Sequence, residues 1–127
     1  MAKTVGIIAE YNPFHNGHYY HLQKAKQEAE ADFCVAVISG NFTQRGETSI
    51  VNKWAKAYMA ICGGADLVIE LPTLYSVSSA ENFANGAIKI LDSLKIVDSF
   101  AFGAEADDLA TLNNIANVLY NEVIRIY

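Results

Sequence analysis

Two histidines separated by an Asn-Gly pair, His15 and His18, are the residues whose type and spacing best suit chemistry. They follow a short apolar run and precede a helical pattern, where free backbone N–H groups and the helix dipole favour anions. Two imidazoles there add donors that can reach a polyphosphate from one side. Gly17 lacks a Cβ and lets a base or ribose approach the backbone, and Pro13 stiffens the turn. The segment predicts stabilisation of charge on a transferring phosphoryl or nucleotidyl group, without a covalent intermediate.

Two other interpretations of these histidines are ordinary surface or core residues and a metal site. His15, His18 and His21 recur every three residues, but no cysteine or carboxylate stands at ligand spacing in that helix, so no metal ligand is predicted. The segment also lacks the glycine fingerprint of dinucleotide sites and the Gly-Lys-Ser/Thr of phosphate-cradling loops.

Four short, nearly continuous apolar runs predict strands that are covered on both faces, at residues 5–9, 33–39, 67–71 and 100–102. Helical patterns alternate with them at residues 18–31, 50–62 and 78–94, and from the acidic pair Asp107-Asp108 onwards. This alternation predicts an α/β fold with a doubly wound parallel sheet. Ligands in such sheets bind at the carboxyl ends of the strands, near the point where the strand order reverses.

Each predicted helix has an apolar stripe that should face the core. In the first helix the stripe is Leu22, Ala25 and Ala29, and in the second Val51, Trp54, Ala55, Tyr58, Met59 and Cys62. The third begins with a predicted Ser78–Glu81 capping box and buries Phe83, Ala87, Ile88, Leu91 and Leu94. The last has the stripe Leu109, Leu112, Ile115, Ala116, Leu119, Val123 and Ile126. Cys34 and Cys62 are both predicted to be core residues rather than a metal or redox pair.

The composition favours a folded cytoplasmic domain with a weak surface for nucleic acid. The 127 residues carry a formal net charge of −5, with +1 in residues 1–58 and −6 in residues 59–127. The only candidate basic stripe is Arg45, Lys53 and Lys56. No apolar run approaches the roughly 18 residues of a membrane span, and the N-terminus lacks a signal-peptide core.

The run from Pro13 to His18 resembles the His-x-Gly-His motif of the nucleotidyltransferase superfamily, which shares its fold with class I aminoacyl-tRNA synthetases. The resemblance implies that the doubly wound sheet has the Rossmann-like nucleotidyltransferase fold. Residues 5–18, 39–47, 53–55, 64–72 and 102–105 are similar to segments of the bacterial tRNA(Met) cytidine acetate ligase family. The resemblance covers essentially the whole chain, and these motifs together are more specific than His-x-Gly-His alone.

The resemblance implies a two-step activity. Members of the family activate acetate with ATP, giving acetyl-adenylate and pyrophosphate, and then acetylate the wobble cytidine of elongator tRNA(Met). His15 and His18 are implied to be catalytic, on the phosphates, and Mg²⁺ is expected with ATP. The implied ATP-binding residues are Ile8, Ala9, Glu10, Tyr11, Asn12, Pro13, Phe14, Asn16, Gly17, Tyr19, Tyr20, His21 and Gly103. Acetate is already a nucleophile, so in-line attack needs positioning and charge stabilisation rather than a base.

Three further residues are candidates for contacts with the substrates or with Mg²⁺. Arg45, in the loop after the second strand, is a possible phosphate or tRNA contact or a solvated loop arginine. Glu10 is a candidate for positioning ATP or acetate. Glu70 could orient a magnesium-bound water, or it is a structural acid at the end of a strand.

Family members are considerably longer and carry further ATP contacts and a C-terminal region that helps to hold tRNA. Residues 1–127 are therefore expected to form one nucleotidyltransferase-like ATP-binding domain, truncated at its C-terminal end, which supplies the nucleotide-binding part of the ligase. Two alternatives remain: a small nucleotidyltransferase acting on a phosphorylated metabolite, and a nucleotide-binding module without catalysis.

Overall fold

The computed structural model of the chain describes residues 1–104 and 108–124. It contains one four-stranded sheet, in which every pairing is parallel and the strands follow the order β3-β2-β1-β4. The strands are β1 (Thr4–Ala9), β2 (Phe33–Ser39), β3 (Leu67–Leu71) and β4 (Ser99–Ala101). The predicted parallel sheet is confirmed. Because β1 lies between β2 and β4, the strand order reverses there, and the crevice that binds ligands in such sheets opens between β1 and β4.

Five helices lie in the described residues: α1 (Asn16–Glu28), α2 (Lys53–Cys62), α3 (Thr73–Ser76), α4 (Ala80–Leu94) and α5 (Leu109–Ile124). The short α3 was not predicted, because four residues are too few to show a helical period. The predicted Ser78–Glu81 capping box is wrong by one residue, since the Ser79 hydroxyl accepts the hydrogen bond from the backbone N–H of Asn82, at 3.2 Å.

Two hydrophobic cores lie on opposite faces of the sheet, because successive side chains of a strand point to opposite faces. In β2, Cys34, Ala36 and Ile38 pack with Leu22 and Ala25 of α1 and Ala60 of α2. Val35 and Val37 belong to the second core, with Phe83, Ala87 and Leu91 of α4. Ile88 and Leu94, also predicted to be buried, are half-buried. The doubly wound arrangement is therefore confirmed.

The predicted apolar stripe of α2 is wrong. Trp54 is 76% exposed and Tyr58 72% exposed, and Cys62, predicted to lie in the core, is exposed as well. The buried residues of the helix are Lys56 and Ala60. Lys56 points inwards because its ammonium donates to polar acceptors in the interior. An apolar-residue pattern cannot predict such acceptors. Cys34 is buried, as predicted, and burial raises the pKa of its thiol to about 11.

The predicted burial of the β4 and α5 residues is also wrong. Phe100 in the edge strand β4 and Phe102 just after it are about half exposed, and Leu67 is exposed in β3, the strand at the opposite edge of the sheet. In α5, Leu109, Ile115 and Leu119 are all more than half exposed, and Leu112 is half-buried. Asp107 and Ile126, also assigned to this helix, and Glu105 lie outside the described residues. Among the described residues, no helix has the length and apolarity needed to cross a membrane.

Candidate active site

His15 is the N-cap residue of α1, and its imidazole takes the place of the hydroxyl or carboxylate that usually caps a helix. Its Nδ1 accepts a hydrogen bond from the backbone N–H of Gly17 at 3.0 Å. Nδ1 of His18 accepts one from the backbone N–H of His15 at 3.3 Å, so the two rings form a reciprocal capping box. The free N–H groups of the first helical turn supply both donors.

These two hydrogen bonds assign the ring protons. A neutral imidazole carries one N–H, and the nitrogen that accepts a hydrogen bond is the one without the proton. Both Nδ1 atoms accept from the backbone, so both neutral rings carry their proton on Nε2. The pair therefore offers two Nε2–H donors, which suit the oxygens of a phosphate and not a cation.

The two imidazoles are stacked, with their ring centroids 3.7 Å apart and their planes inclined by 22°. Two imidazolium charges at this separation repel each other. Burial, and then the neighbouring His15 and His21, lower the pKa of His18 below its ordinary value of 6.5. His18 is therefore neutral at pH 7 and donates through Nε2–H.

Tyr11 and Phe14, two of the residues predicted to bind ATP, pack against His18. The Tyr11 ring lies 4.9 Å from the His18 ring and 4.8 Å from the Phe14 ring, measured between centroids. Tyr11 is buried, and burial raises the pKa of its phenol. Its φ of 51° lies in the left-handed region, a strained backbone conformation for a non-glycine residue that surrounding contacts must hold. The two aromatic rings thus pack around His18, the imidazole that stacks on His15.

The other residues predicted to contact ATP follow the same strand, loop and helix. Ile8, Ala9, Glu10, Asn12 and Pro13 are half-buried in β1 and the following loop, whereas Asn16, Gly17, Tyr19 and Tyr20 are exposed on α1. His21 is half-buried one turn after His18, and its Nε2 is buried without a hydrogen-bond partner in the described part of the chain.

The two predicted glycines have different surroundings. A Cβ on Gly17 would lie 2.9 Å from Cε1 of His15, so the missing side chain makes room for the His15 ring. Gly103 follows β4, the strand beside β1, and a Cβ there would meet nothing within 4 Å. Contacts within the chain therefore require glycine at position 17 but not at position 103.

The loop between β2 and α2 reaches the same edge of the sheet as the histidines, as predicted. It contains a small hairpin, closed by the antiparallel bridge between Phe42 and Thr48. The turn passes through Gly46, whose φ of 80° suits glycine, and Arg45 is exposed beside it. We call residues 42–48 the rim hairpin.

Side chains of the β1–α1 loop anchor the loop that carries the rim hairpin. A Glu10 carboxylate oxygen accepts a hydrogen bond from the backbone N–H of Gln44 at 2.9 Å. The side-chain amide oxygen of Asn12, Oδ1, accepts one from the backbone N–H of Ile50 at 2.7 Å. Glu10 and Asn12 therefore couple the histidine segment to the loop that presents Arg45.

Lys56 is completely buried and secures the same loop from within. Its ammonium donates to the Ser39 hydroxyl at 3.0 Å, the Gly40 carbonyl at 2.9 Å and the Ser49 hydroxyl at 3.3 Å. Burial lowers its pKa, against the opposing influence of Glu10 and Glu70. The prediction that Lys56 belongs to a basic surface stripe is wrong, because its buried ammonium joins the end of β2 to the loop.

Lys53 and Glu70 form an ion pair at the same edge, with 2.7 Å between Nζ and the carboxylate oxygen. Neither the Lys53 ammonium nor the Glu70 carboxylate is therefore an isolated charge. Within residues 1–104 and 108–124 no three histidine, cysteine or acidic side chains are grouped so that they could hold a metal ion.

Comparison with known proteins agrees with this geometry. Residues 2–126 match the family model described as HIGH Nucleotidyl Transferase. A tRNA(Met) cytidine acetate ligase of Thermoanaerobacter pseudethanolicus is 60% identical over 94% of this chain, and one of Acetivibrio thermocellus is 57% identical over the same share. The chain spans only 30% and 29% of the lengths of these two relatives.

A solved structure agrees as well. The crystal structure of Thermotoga maritima TmcAL bound with alpha-thio ATP matches 94% of this chain with a TM-score of 0.90 and 43% sequence identity, and the match covers 29% of that protein. Three findings agree: paired histidines at a strand-to-helix junction, a parallel sheet whose strand order reverses at β1, and a family match over residues 2–126. The chain belongs to the HIGH nucleotidyltransferase family.

Proposed function

We propose that this chain is the nucleotide-activating part of a tRNA(Met) cytidine acetate ligase. It would bind ATP and acetate and promote formation of acetyl-adenylate and pyrophosphate, after which the acetyl group passes to the wobble cytidine of elongator tRNA(Met). The observation that carries the proposal is the stacked His15–His18 pair with both Nε2–H donors free of the backbone. The relatives and the TmcAL structure support the choice of substrate.

The chemistry asked of the pair is electrostatic. An acetate oxygen attacks the α-phosphorus of ATP, the bond to the bridging oxygen breaks, and pyrophosphate leaves with that electron pair. Negative charge on the phosphate oxygens rises during this exchange, and the two Nε2–H groups donate to those oxygens. Neutral, pre-oriented donors perform this role without transferring a proton, so the chain needs no general base for the first step.

We place the rest of ATP along the segment from Ile8 to His21 and beside Gly103, because β4 borders the crevice at β1. Mg²⁺ would enter with the triphosphate, held mainly by its oxygens, as is usual for this ion. Arg45, which is exposed on the rim hairpin at the same edge of the sheet, would contact a phosphate of ATP or of tRNA. Such a reaction belongs in the cytoplasm, with its tRNA.

Acetate-dependent ATP–pyrophosphate exchange tests the proposal. A full-length protein with this chain as its N-terminal domain should exchange labelled pyrophosphate into ATP only when acetate is added. Exchange that ignores acetate but responds to a phosphorylated acceptor would instead indicate a small-molecule nucleotidyltransferase. Nucleotide binding without any exchange would indicate a binding module.

A further inference from the structure

A small cavity of about 180 Å³ lies between α2 and the carboxyl ends of β2 and β3. Its lining includes Gly40, Lys53, Trp54 and Glu70, together with apolar side chains of β2, β3 and α2. None of these residues takes part in the ATP site described above. The cavity thus supplies a second place for a ligand at the functional edge of the sheet.

Trp54 is the feature of this cavity that folding does not explain. Its side chain is 76% exposed, although burying an indole would stabilise the domain considerably. The Lys53 ammonium lies 5.6 Å from the centroid of its ring, a cation–π distance. Exposed indole rings serve as stacking platforms for unpaired bases, which are the elements of RNA that proteins read most readily.

The polar groups beside Trp54 match one edge of a cytosine. The Glu70 carboxylate is an acceptor for an exocyclic amine, and the Lys53 ammonium is a donor for the adjacent ring nitrogen and carbonyl oxygen. The two groups are already side by side, 2.7 Å apart. Gly40 also lies so close to Glu70 that a Cβ there would collide with the carboxylate, which fixes the acceptor against the end of β2.

The topology places this cavity on the acceptor side of the site. Strand order is β3-β2-β1-β4, and the nucleotide is assigned to the crevice between β1 and β4. A second substrate must then approach the phosphates from the opposite side, over β2 and β3. Glu10 after β1 accepts a hydrogen bond from Gln44 of the loop after β2, and Gly40 at the start of that loop lies against Glu70 of β3, so the two substrate regions share one rim.

Acetate is a poorer occupant than a base. The Lys53–Glu70 pair has no net charge, and the carboxylate would repel a second anion. A flat neutral ring with a donor and acceptors on one edge uses the indole, the acid and the ammonium together.

We infer that this cavity receives the acceptor cytosine, stacked on Trp54 with its exocyclic amine donating to Glu70; the inference rests on the proposed function. In the transfer step the amine nitrogen forms a bond to the acetyl carbonyl carbon. The bond from that carbon to the phosphate oxygen breaks, and AMP leaves with the electron pair. The nitrogen loses one proton, which the Glu70 carboxylate takes.

The two half-reactions separate this role from ATP activation. In a full-length protein carrying this domain, pyrophosphate exchange is measured without tRNA, and acetyl transfer is measured as labelled acetate incorporated into tRNA(Met). For Trp54→Ala, transfer should fall about tenfold to hundredfold relative to the exchange rate of the same variant, mainly as a higher KM for tRNA. Trp54→Phe should recover part of the loss. Glu70→Gln should lower kcat for transfer more than it changes that KM.

Tyr58→Ala is the matched control, because Tyr58 is an equally exposed aromatic residue one turn further along α2 that does not line the cavity. Its transfer-to-exchange ratio should match that of the parent. An unchanged ratio in Trp54→Ala, or an equal loss in Tyr58→Ala, overturns the acceptor site alone. A parent protein without acetate-dependent exchange overturns the proposed function, and the acceptor site with it.

Discussion

The imidazoles of His15 and His18 have two tasks on two different nitrogens. Their Nδ1 atoms cap α1, and their Nε2 atoms remain for a ligand. Substituting either residue therefore removes a helix cap and a proposed phosphate donor together. A useful experiment must distinguish the two losses.

The donor role predicts a large rate effect. His15→Ala and His18→Ala should each lose about 2–4 kcal/mol of transition-state stabilisation, or roughly 30-fold to 1000-fold in kcat for acetate-dependent exchange. His15→Asn separates the two tasks, because asparagine is among the best N-cap residues but has no Nε2–H. It should retain the thermal stability of the parent and show the low rate of His15→Ala. Unchanged exchange in both alanine variants would remove the pair from the mechanism.

The surroundings of His18 predict a pH effect on stability. Burial, and then the neighbouring His15 and His21, hold the pKa of His18 below its ordinary value of 6.5 in the folded chain, so folding favours the neutral ring. This contribution to the free energy of unfolding is complete above about pH 6.5 and is lost as the pH falls through the folded pKa. The measurement is the free energy of unfolding in urea from pH 8 to pH 5.

His18→Gln is the control for this titration, since glutamine at the same position completes a capping box without titrating. The parent should lose stability relative to His18→Gln below pH 6.5, and the common contribution of all other groups cancels. Parallel curves for the two proteins would contradict the lowered pKa of His18 in the folded chain.

The sequence was sufficient to identify the two histidines but not their state. A strand-to-helix junction with His-Asn-Gly-His indicates an anion site, and the structure places both rings together. Histidine is not a residue from which a cap is normally predicted, however, so the capping box and its tautomers could not be foreseen. The same holds for the packing of Tyr11 against His18, which depends on a left-handed φ.

At the scale of elements, the loop between β2 and α2 depends on one buried ammonium. Lys56 donates three hydrogen bonds that join the end of β2 to the loop. Lys56→Met should therefore lower the free energy of unfolding by about 1–3 kcal/mol, because buried acceptors lose their donor. Urea unfolding measures this loss.

Lys24→Met is the control for Lys56→Met, since the Lys24 side chain is 44% exposed and its ion pair with Glu28 is 3.6 Å long. It should change the free energy of unfolding by less than about 0.5 kcal/mol. An equally small effect of Lys56→Met would contradict the stabilising role of its three hydrogen bonds.

The elements themselves were predictable to different degrees. All four strands were located within two residues, because nearly continuous apolar runs are typical of buried parallel strands. The inward face of α2 could not be predicted from hydropathy, because Lys56 is buried by its hydrogen bonds to specific acceptors on β2 and the loop. Trp54 and Tyr58 stayed outside, contrary to the prediction. In this helix the polar contacts of Lys56 override the apolar pattern.

The whole molecule has an uneven surface. Apolar side chains are exposed along β4 and α5, among them Phe102, Val118, Leu119 and Tyr120. Surface of this kind promotes association. The 127-residue chain by itself should therefore self-associate as its concentration rises, which sedimentation velocity measures.

Charge placed on α5 tests this prediction. A Val118→Lys/Leu119→Lys double variant should shift the chain towards monomer, because both side chains are 58% exposed. Asn113→Lys/Asn114→Lys adds the same charge to exposed positions of the same helix and removes no apolar surface. Equal effects from both double variants would assign the change to net charge and contradict the apolar explanation.

The parallel direction of all four strands also divides the molecule into a working side and a free side. His15, the rim hairpin, Trp54 and Glu70 all belong to segments at or near the carboxyl ends of strands. The turn before β4, where exposed Lys95 has a φ of 56°, lies at the amino ends. A dye, an affinity tag or a solid support joined at Lys95 would therefore leave the proposed nucleotide and RNA sites accessible. This turn is thus the preferred attachment point for single-molecule and immobilised assays.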